Sequence, residues 1–494
     1  MLLFWPLIIP FFTAVLCLLA WRSTEMQRGI SLLGSIGLLV VAVMIITRVG
    51  SEGTFAEQAG GWPAPFGISM VADWLSAVLV LLTAIVGVAV VVFSFSDVTK
   101  EEEHFGFHPL TQALLAGICG AFLTGDIFNM YVWFEVMLIA SFGLLVIGGG
   151  REQLDGAMKY VGLNLIATVA FIAGVGLLYG ATGALNMADL HLRLADRESD
   201  AAVRAAAAFL LFAFASKAAL FPLYFWLPAS YHTPAFATSA LFSALLTKVG
   251  VYALIRVFTL VFPTGDEIVM TIMIWGGVLT MLAGVLGALS QTSVRRVLGY
   301  SVVSSIGFMI LGLGIGTPIA LAGAAFYLFQ DILVKASLFF SAGIATRLTG
   351  SEVLARSGGL WRARPWFSML FLIPALALAG VPPFSGFWPK LLLVQATLEI
   401  GSWGLVLAVL GTGLLTLFAM GRIWAAMFWS AHPEGDNAIT GKVDGWTLSA
   451  PVVLMFIVIL IGVQPAPFIE VSQAVAAQLL DPTGYVEAVL GVPE

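Results

Sequence analysis

The sequence predicts an all-α polytopic membrane protein with about 14 transmembrane helices. It further predicts two inverted five-helix repeats, each with a broken helix. Three observations lead there. Hydrophobic residues make up 60% of the 494 positions and charged residues 10%, a balance outside the range of soluble globules. Apolar runs of about 18–25 residues, the length a helix needs to cross hydrocarbon, recur along the chain. Two of these runs are interrupted by prolines at matching places, Pro222 and Pro228 in one and Pro383 and Pro389 in the other, displaced by 161 residues. Interrupted segments at corresponding positions point to an inverted repeat with an ion site near the midplane. Five helices per copy, an odd number, turn the second copy over.

The expected spans are 2–20, 29–47, 68–94, 108–125, 127–148, 159–180, 203–230, 236–262, 268–290, 299–316, 318–345, 366–399, 403–429 and 447–466. With the N-terminus outside, the inner loops hold Arg22, Arg28, Lys100, Arg151, Lys159, Arg295, Arg296, Arg347, Arg356, Arg362, Arg364 and Lys442. The outer loops hold Arg48, Arg193, Arg197 and Arg204. That asymmetry satisfies the positive-inside rule, and an even helix count puts the C-terminus outside as well. The first span lacks a basic leader and an Ala-x-Ala site and reads as a retained helix. Cys17 and Cys119 fall inside expected helices, which supports neither a disulfide framework nor a metal cluster. The net charge of −6 is dispersed and suggests no partner, and no stretch resembles a nucleic-acid site.

The first three spans read as scaffold, with Asp73 at an interface. The segment 97–108 (DVTKEEEHFGFH) reads as a solvated inner connection. In the fifth span Glu135 lies about two turns in, where a carboxylate must be neutral, paired or wet. A structural ion pair competes there with a group on an ion path. Asp126 and Asn129 read as capping or interfacial. Residues 184–202 read as a short amphipathic surface helix with His191 facing solvent.

The segment 212–258 carries Lys217 and Lys248 inside an apolar run that also contains Pro222, Pro228 and Pro234. A charge in hydrocarbon costs roughly 2.5–3.5 kcal/mol on insertion scales, and proline removes a backbone donor that lipid cannot replace. Both costs are tolerable in a broken helix lining a polar cavity. His232, in the turn that follows, divides between proton entry and a local turn bond. In the eleventh span Asp331 and Lys335 are four residues apart, acid first, the favourable order for a pair. A purely structural pair is the competing reading. Neighbouring Gln330 does not titrate and can pass a proton only through water. Lys390 closes the second broken segment. Four of the seven lysines fall within spans, whereas arginines keep almost entirely to loops and helix ends. Buried lysine can change its protonation state and arginine stays charged, so spans that select lysine are suited to protonation. Arg295, Arg296 and the Arg356–Arg364 cluster read as topology determinants.

These stretches, FEVM around Glu135, SKAALFPLYFWLP around Lys217, LLTKVGVYAL around Lys248 and GVPPFSGFWPK ending at Lys390, resemble the antiporter-like subunits shared by Mrp-type cation/proton antiporters and respiratory complex I. The resemblance covers about residues 1–466 and is nearest to the D-type chain of the Mrp complex. It implies scaffold helices in 1–106, a first repeat in 107–262, a second in 263–432, and a final helix with an outer tail in 433–494. It also implies a Glu135–Lys217 ion pair, a central Lys248 and a terminal Lys390. Many members carry a histidine where this chain has Gln330, which leaves Asp331, Lys335 and water to bridge that point.

The expected function is proton translocation in a multisubunit Na⁺ or K⁺/H⁺ antiporter of a bacterial plasma membrane. The expected partners are other membrane subunits, the transported ions and the bilayer, with no cofactor and no enzymatic chemistry. The alternative is a pumping subunit of complex I or a membrane-bound hydrogenase. A solute permease would need a pocket of mixed polar groups, and a purely structural subunit would gain little from four buried lysines.

Overall fold

The computed structural model describes residues 1–195, 200–262, 267–435, 439 and 443–491. Arg197 and Lys442, two of the basic residues that bear on orientation, lie outside these. Among the described residues, helices traverse a bundle between two faces, as they must in lipid, where every backbone polar group needs an internal partner.

The first half comprises α1 (Trp5–Leu19), α2 (Thr24–Glu52), α3 (Trp74–Asp97), α4 (Phe107–Leu123), α5 (Ile127–Val146), α6 (Arg151–Thr182) and α7 (Ala201–Ala218). The central helix α8 (Phe236–Val261) follows, then α9 (Glu267–Ser290), α10 (Val294–Ile315) and α11 (Pro318–Thr349). The chain ends with α12 (Pro365–Ala379), α13 (Phe387–Glu399), α14 (Trp403–Trp429), α15 (Gly445–Val463), α16 (Ala466–Leu480) and α17 (Thr483–Leu490). Twelve stretches, the one from Ala201 counted through Ser230, are long and apolar enough to cross a membrane. Shorter apolar helices α4 and α12 occupy the fourth and twelfth expected segments.

One face gathers both chain ends. The Met1 amino group lies 2.9 Å from Glu57 of β1 (Phe55–Gln58), and β1 pairs antiparallel with β2 (Ser69–Ala72). Helix α17 packs on both strands. Helices α8, α10 and α11 are sheathed by the others and form the interior. Tight packing there comes from small residues: a Cβ on Gly284 of α9 would stand 2.3 Å from the Ser304 backbone nitrogen of α10.

Two expectations change and two gain detail. Residues 187–194 form the surface helix, capped by Asn186, but His191 is half-buried with Nδ1 2.8 Å from the Leu260 carbonyl. Glu103, assigned to a solvated loop, is fully buried. It takes a bidentate contact from Arg28 at 2.8 and 2.9 Å, with His108 Nε2 at 3.3 Å. Asp73, at the start of its span, caps α3 by accepting from the Ser76 amide and forms a buried ion pair with Arg256. The tail beyond residue 466 is helical, and Gln478 of α16 accepts from the Trp74 amide at 3.0 Å.

Candidate functional site

Helix α7 ends where the prolines require it. Ala219 adopts a left-handed conformation (φ +61°), and Pro222 offers no amide donor to continue the ladder. A short 3-10 turn and the helix Trp226–Ser230 complete the second half of this broken element. The Ser216 carbonyl accepts from the Ala219 amide at 3.1 Å and from the Trp226 indole at 3.0 Å. Lys217 sits in the last turn of α7, buried, with Nζ 4.9 Å from the Phe134 ring centre.

Glu135 lies on α5, half-buried. A hydroxyl joins it to Lys217: Thr168 Oγ1 donates to Glu135 Oε1 at 2.7 Å and accepts from Lys217 Nζ at 3.4 Å. Thr168 of α6 is a site residue that sequence reasoning misses, because a threonine in an apolar run carries no signal.

The second break repeats the backbone course. Helix α12 ends at Gly380 (φ +84°), a conformation that suits glycine, and Gly380 stands 161 residues after Ala219. The peptide bonds before Pro222 and Pro383 are both cis. Lys390 of α13 folds back across the gap, donating to the Leu378 and Ala379 carbonyls at 2.9 and 2.8 Å, with Nζ 5.0 Å from the Phe308 ring centre. Gln330 Oε1 accepts from Ser385 Oγ at 3.4 Å within this same break.

Between the breaks lies the innermost cluster. Helix α8 contains a π-helical turn at Phe242–Leu246, a distortion that often accompanies function. Lys248 donates to the Ser243 carbonyl at 2.6 Å and stands 2.9 Å from Asp331 Oδ2. Lys335 is 3.8 Å from Asp331 Oδ1 and donates to Ser301 Oγ at 2.8 Å. Asp331 therefore belongs first to Lys248, on another helix, and second to its neighbour Lys335. All three are fully buried.

Beyond the spans, His232 Nδ1 meets the Pro228 carbonyl at 2.9 Å, and Arg296 reaches Nε2 at 3.1 Å. Arginine can only donate, so Nε2 accepts and the Nδ1 hydrogen points to Pro228. Burial first, and the Arg296 charge second, hold this imidazole below its ordinary pKa. His232 borders a cavity of about 720 Å³ together with Lys159, Phe225, Pro228 and Arg296. Arg295 does more than bias topology, since its guanidinium binds the His232 and Pro234 carbonyls and Glu352. Asp126 caps α5 as expected, accepting from the Asn129 amide at 2.7 Å.

Residues 124–416 match the family model described as "NADH:quinone oxidoreductase/Mrp antiporter, TM". The chain is 43% identical over 485 residues to the D-type chain of the Na⁺/H⁺ antiporter of Alkalihalophilus pseudofirmus, covering 98% of each. Its fold aligns with a chain of the Mrp complex from Dietzia sp. at TM-score 0.91 and 31% identity over 99% of each chain. A chain of the membrane-bound sulfane sulfur reductase, an archaeal respiratory membrane complex, aligns at 0.90 and 29% over 99% of each. With buried lysines on broken helices and a match of this extent, the chain belongs to the NADH:quinone oxidoreductase/Mrp antiporter family of membrane proteins.

Proposed function

We propose that this chain is the D-type member of a multisubunit Na⁺ or K⁺/H⁺ antiporter and translocates protons along Glu135, Lys217, Lys248, Lys335 and Lys390. The observation that carries the reading is the carboxylate of Asp331, shared between Lys248 and Lys335 with all three groups buried. One negative charge between two lysines is electrically balanced with a single excess proton, and either lysine can hold it. Such a centre exchanges a proton without leaving a second uncompensated charge in hydrocarbon.

Two inverted repeats, 107–262 and 263–432, set the ends of this path. Glu135, through Thr168, responds to the charge on Lys217. Gln330 lies by the second break and does not titrate, so passage between Lys335 and Lys390 runs through water. The cavity at His232 gives access from one face, with the prolines Pro222, Pro228, Pro383 and Pro389 holding both gaps open. Membrane potential supplies about 2.3 kcal/mol per charge per 100 mV. Half-buried Glu135 on a span is a poor lipid neighbour, which suits a partner membrane protein at that face. The orientation, with both chain ends outside, follows from the distribution of basic residues, and the plasma membrane from the likeness to a bacterial antiporter chain.

A redox-driven pump is the second reading, favoured by the likeness to the archaeal respiratory chain. Everted vesicles holding the assembled complex separate the two. Collapse of a preformed ΔpH on adding Na⁺ or K⁺, lost in Glu135→Ala and Lys217→Ala, supports antiport. Silence toward both cations, with proton pumping that needs a redox substrate, overturns it.

A further inference from the structure

A small cavity of about 20 Å³ lies beside Lys217, lined among others by Tyr160, Asn164, Trp226 and Leu246. That volume suits one water molecule, which needs at least about 10–15 Å³ and two to four polar partners. Three residues with hydrogen-bonding groups line it. The Lys217 nitrogen carries two or three hydrogens, yet its hydrogen bond to the protein is the long one to Thr168 at 3.4 Å. Asn164 spends its amide nitrogen on the Tyr160 carbonyl at 2.8 Å, which leaves its side-chain oxygen as an acceptor. Tyr160 contributes a phenol that pairs with Ser141 Oγ at 2.6 Å.

The same two chain segments also line the large cavity at His232. Lys159 and Phe225 line the large cavity, while their sequence neighbours Tyr160 and Trp226 line the small one. Trp226 is held in place by its bond to the Ser216 carbonyl.

We propose that this cavity binds a single water through Lys217, Asn164 and Tyr160, and that this water carries protons between the large cavity and Lys217. The inference rests on the transport reading above and names its entry step. In that step a solvent hydronium in the large cavity loses an O–H bond as one forms on the bound water, and another O–H bond of that water breaks as an N–H bond forms on neutral Lys217. The water is unchanged at the end, and the return runs in reverse. Asn164 and Tyr160 are positioning residues.

The test uses the complex assembled with its partner subunits in everted vesicles. Asn164→Leu, which keeps the volume and removes the acceptor, is expected to slow cation-driven ΔpH collapse at least tenfold. Tyr160→Phe, which preserves shape, should slow it several-fold and move the pH of half-maximal rate while the cation concentration dependence stays. Asn164→Ser should restore at least half the rate. Native gels report assembly, and where Asn164→Leu fails to assemble, Tyr160→Phe decides. Wild-type rates and pH profile in these variants, with Lys217→Ala inactive, overturn the water step and leave the transport reading standing. A fully active Lys217→Ala overturns both.

Discussion

Gly250 is where the packing of α8 against the first break can be tested directly. A Cβ there would stand 2.5 Å from the Ala218 nitrogen, 2.8 Å from the Ala218 Cα and 2.8 Å from the Lys217 carbonyl carbon. These are backbone atoms at the end of α7 and cannot rotate away. Restoring an ordinary contact of 3.4 Å from 2.5 Å requires the two backbones to part by about 0.9 Å. Overpacking of this kind costs about 1–3 kcal/mol. The displacement also falls on Lys217, whose bond to Thr168 is already 3.4 Å and would pass out of range. Gly250→Ala should therefore lower the thermal midpoint of the assembled complex and cut the rate of ΔpH collapse by roughly tenfold, in line with the cost of ångström-scale misplacement. Gly411→Ala is the control, because nothing lies within 4 Å of its Cβ position. Equal midpoints and equal rates for the two variants would refute this account of how α8 holds the break.

Asp331→Asn leaves Lys248 and Lys335 buried without their shared counter-charge, at a cost of about 3–5 kcal/mol. The complex should melt earlier and lose transport, and adding Lys248→Met should recover part of the stability; an Asp331→Asn complex as stable as wild type sinks the shared-charge reading. Thr168→Val, which changes no charge and little volume, should slow transport several-fold by disconnecting Glu135 from Lys217, and an unaltered rate would show that the hydroxyl is dispensable. His232 has its pKa depressed from about 6.5 by burial and Arg296, so the folded state favours the neutral ring. Its contribution to stability is complete above pH 6.5 and falls away as the pH drops below that value. Melting of the wild-type complex between pH 7 and 5 should accordingly be steeper in pH than that of His232→Gln, and parallel curves would contradict the assignment.

The spans are legible because lipid imposes length and composition, and the breaks because proline cannot hide in a helix. The lysines stand out as charges in apolar runs. Their partners do not. Lys248 and Asp331 are 83 residues apart, while Lys335 lies one turn from Asp331, so a reading limited to local spacing favours the neighbour. The structure makes the distant contact the shorter one, at 2.9 against 3.8 Å. The same limit hides Arg256, whose partner Asp73 looks locally like a helix cap and is one. Helices α16 and α17 escape because 15 and 8 residues fall below the length of a span. Gln330 gives no local sign of its neighbour either, and its bond to Ser385 places it at the second break.

The proline match between the two broken helices extends to the backbone but not to the chemistry. Left-handed residues and cis prolines recur at the same offset, yet Lys217 precedes its gap whereas Lys390 follows its own. A helix that ends inside the bundle leaves carbonyls unpaired at the negative end of its dipole. In the first break the Ala219 amide and the Trp226 indole share the Ser216 carbonyl, and Lys217 interacts with Thr168 and, through it, Glu135. In the second break the lysine itself satisfies two, and carbonyls cannot titrate. The charge on Lys217 is thus tied to the state of a carboxylate at the edge of the molecule, and the charge on Lys390 to the geometry of the gap. On the proposed path, two breaks of the same backbone course with different partners for their lysines would give its two ends different controls, which directional transport requires.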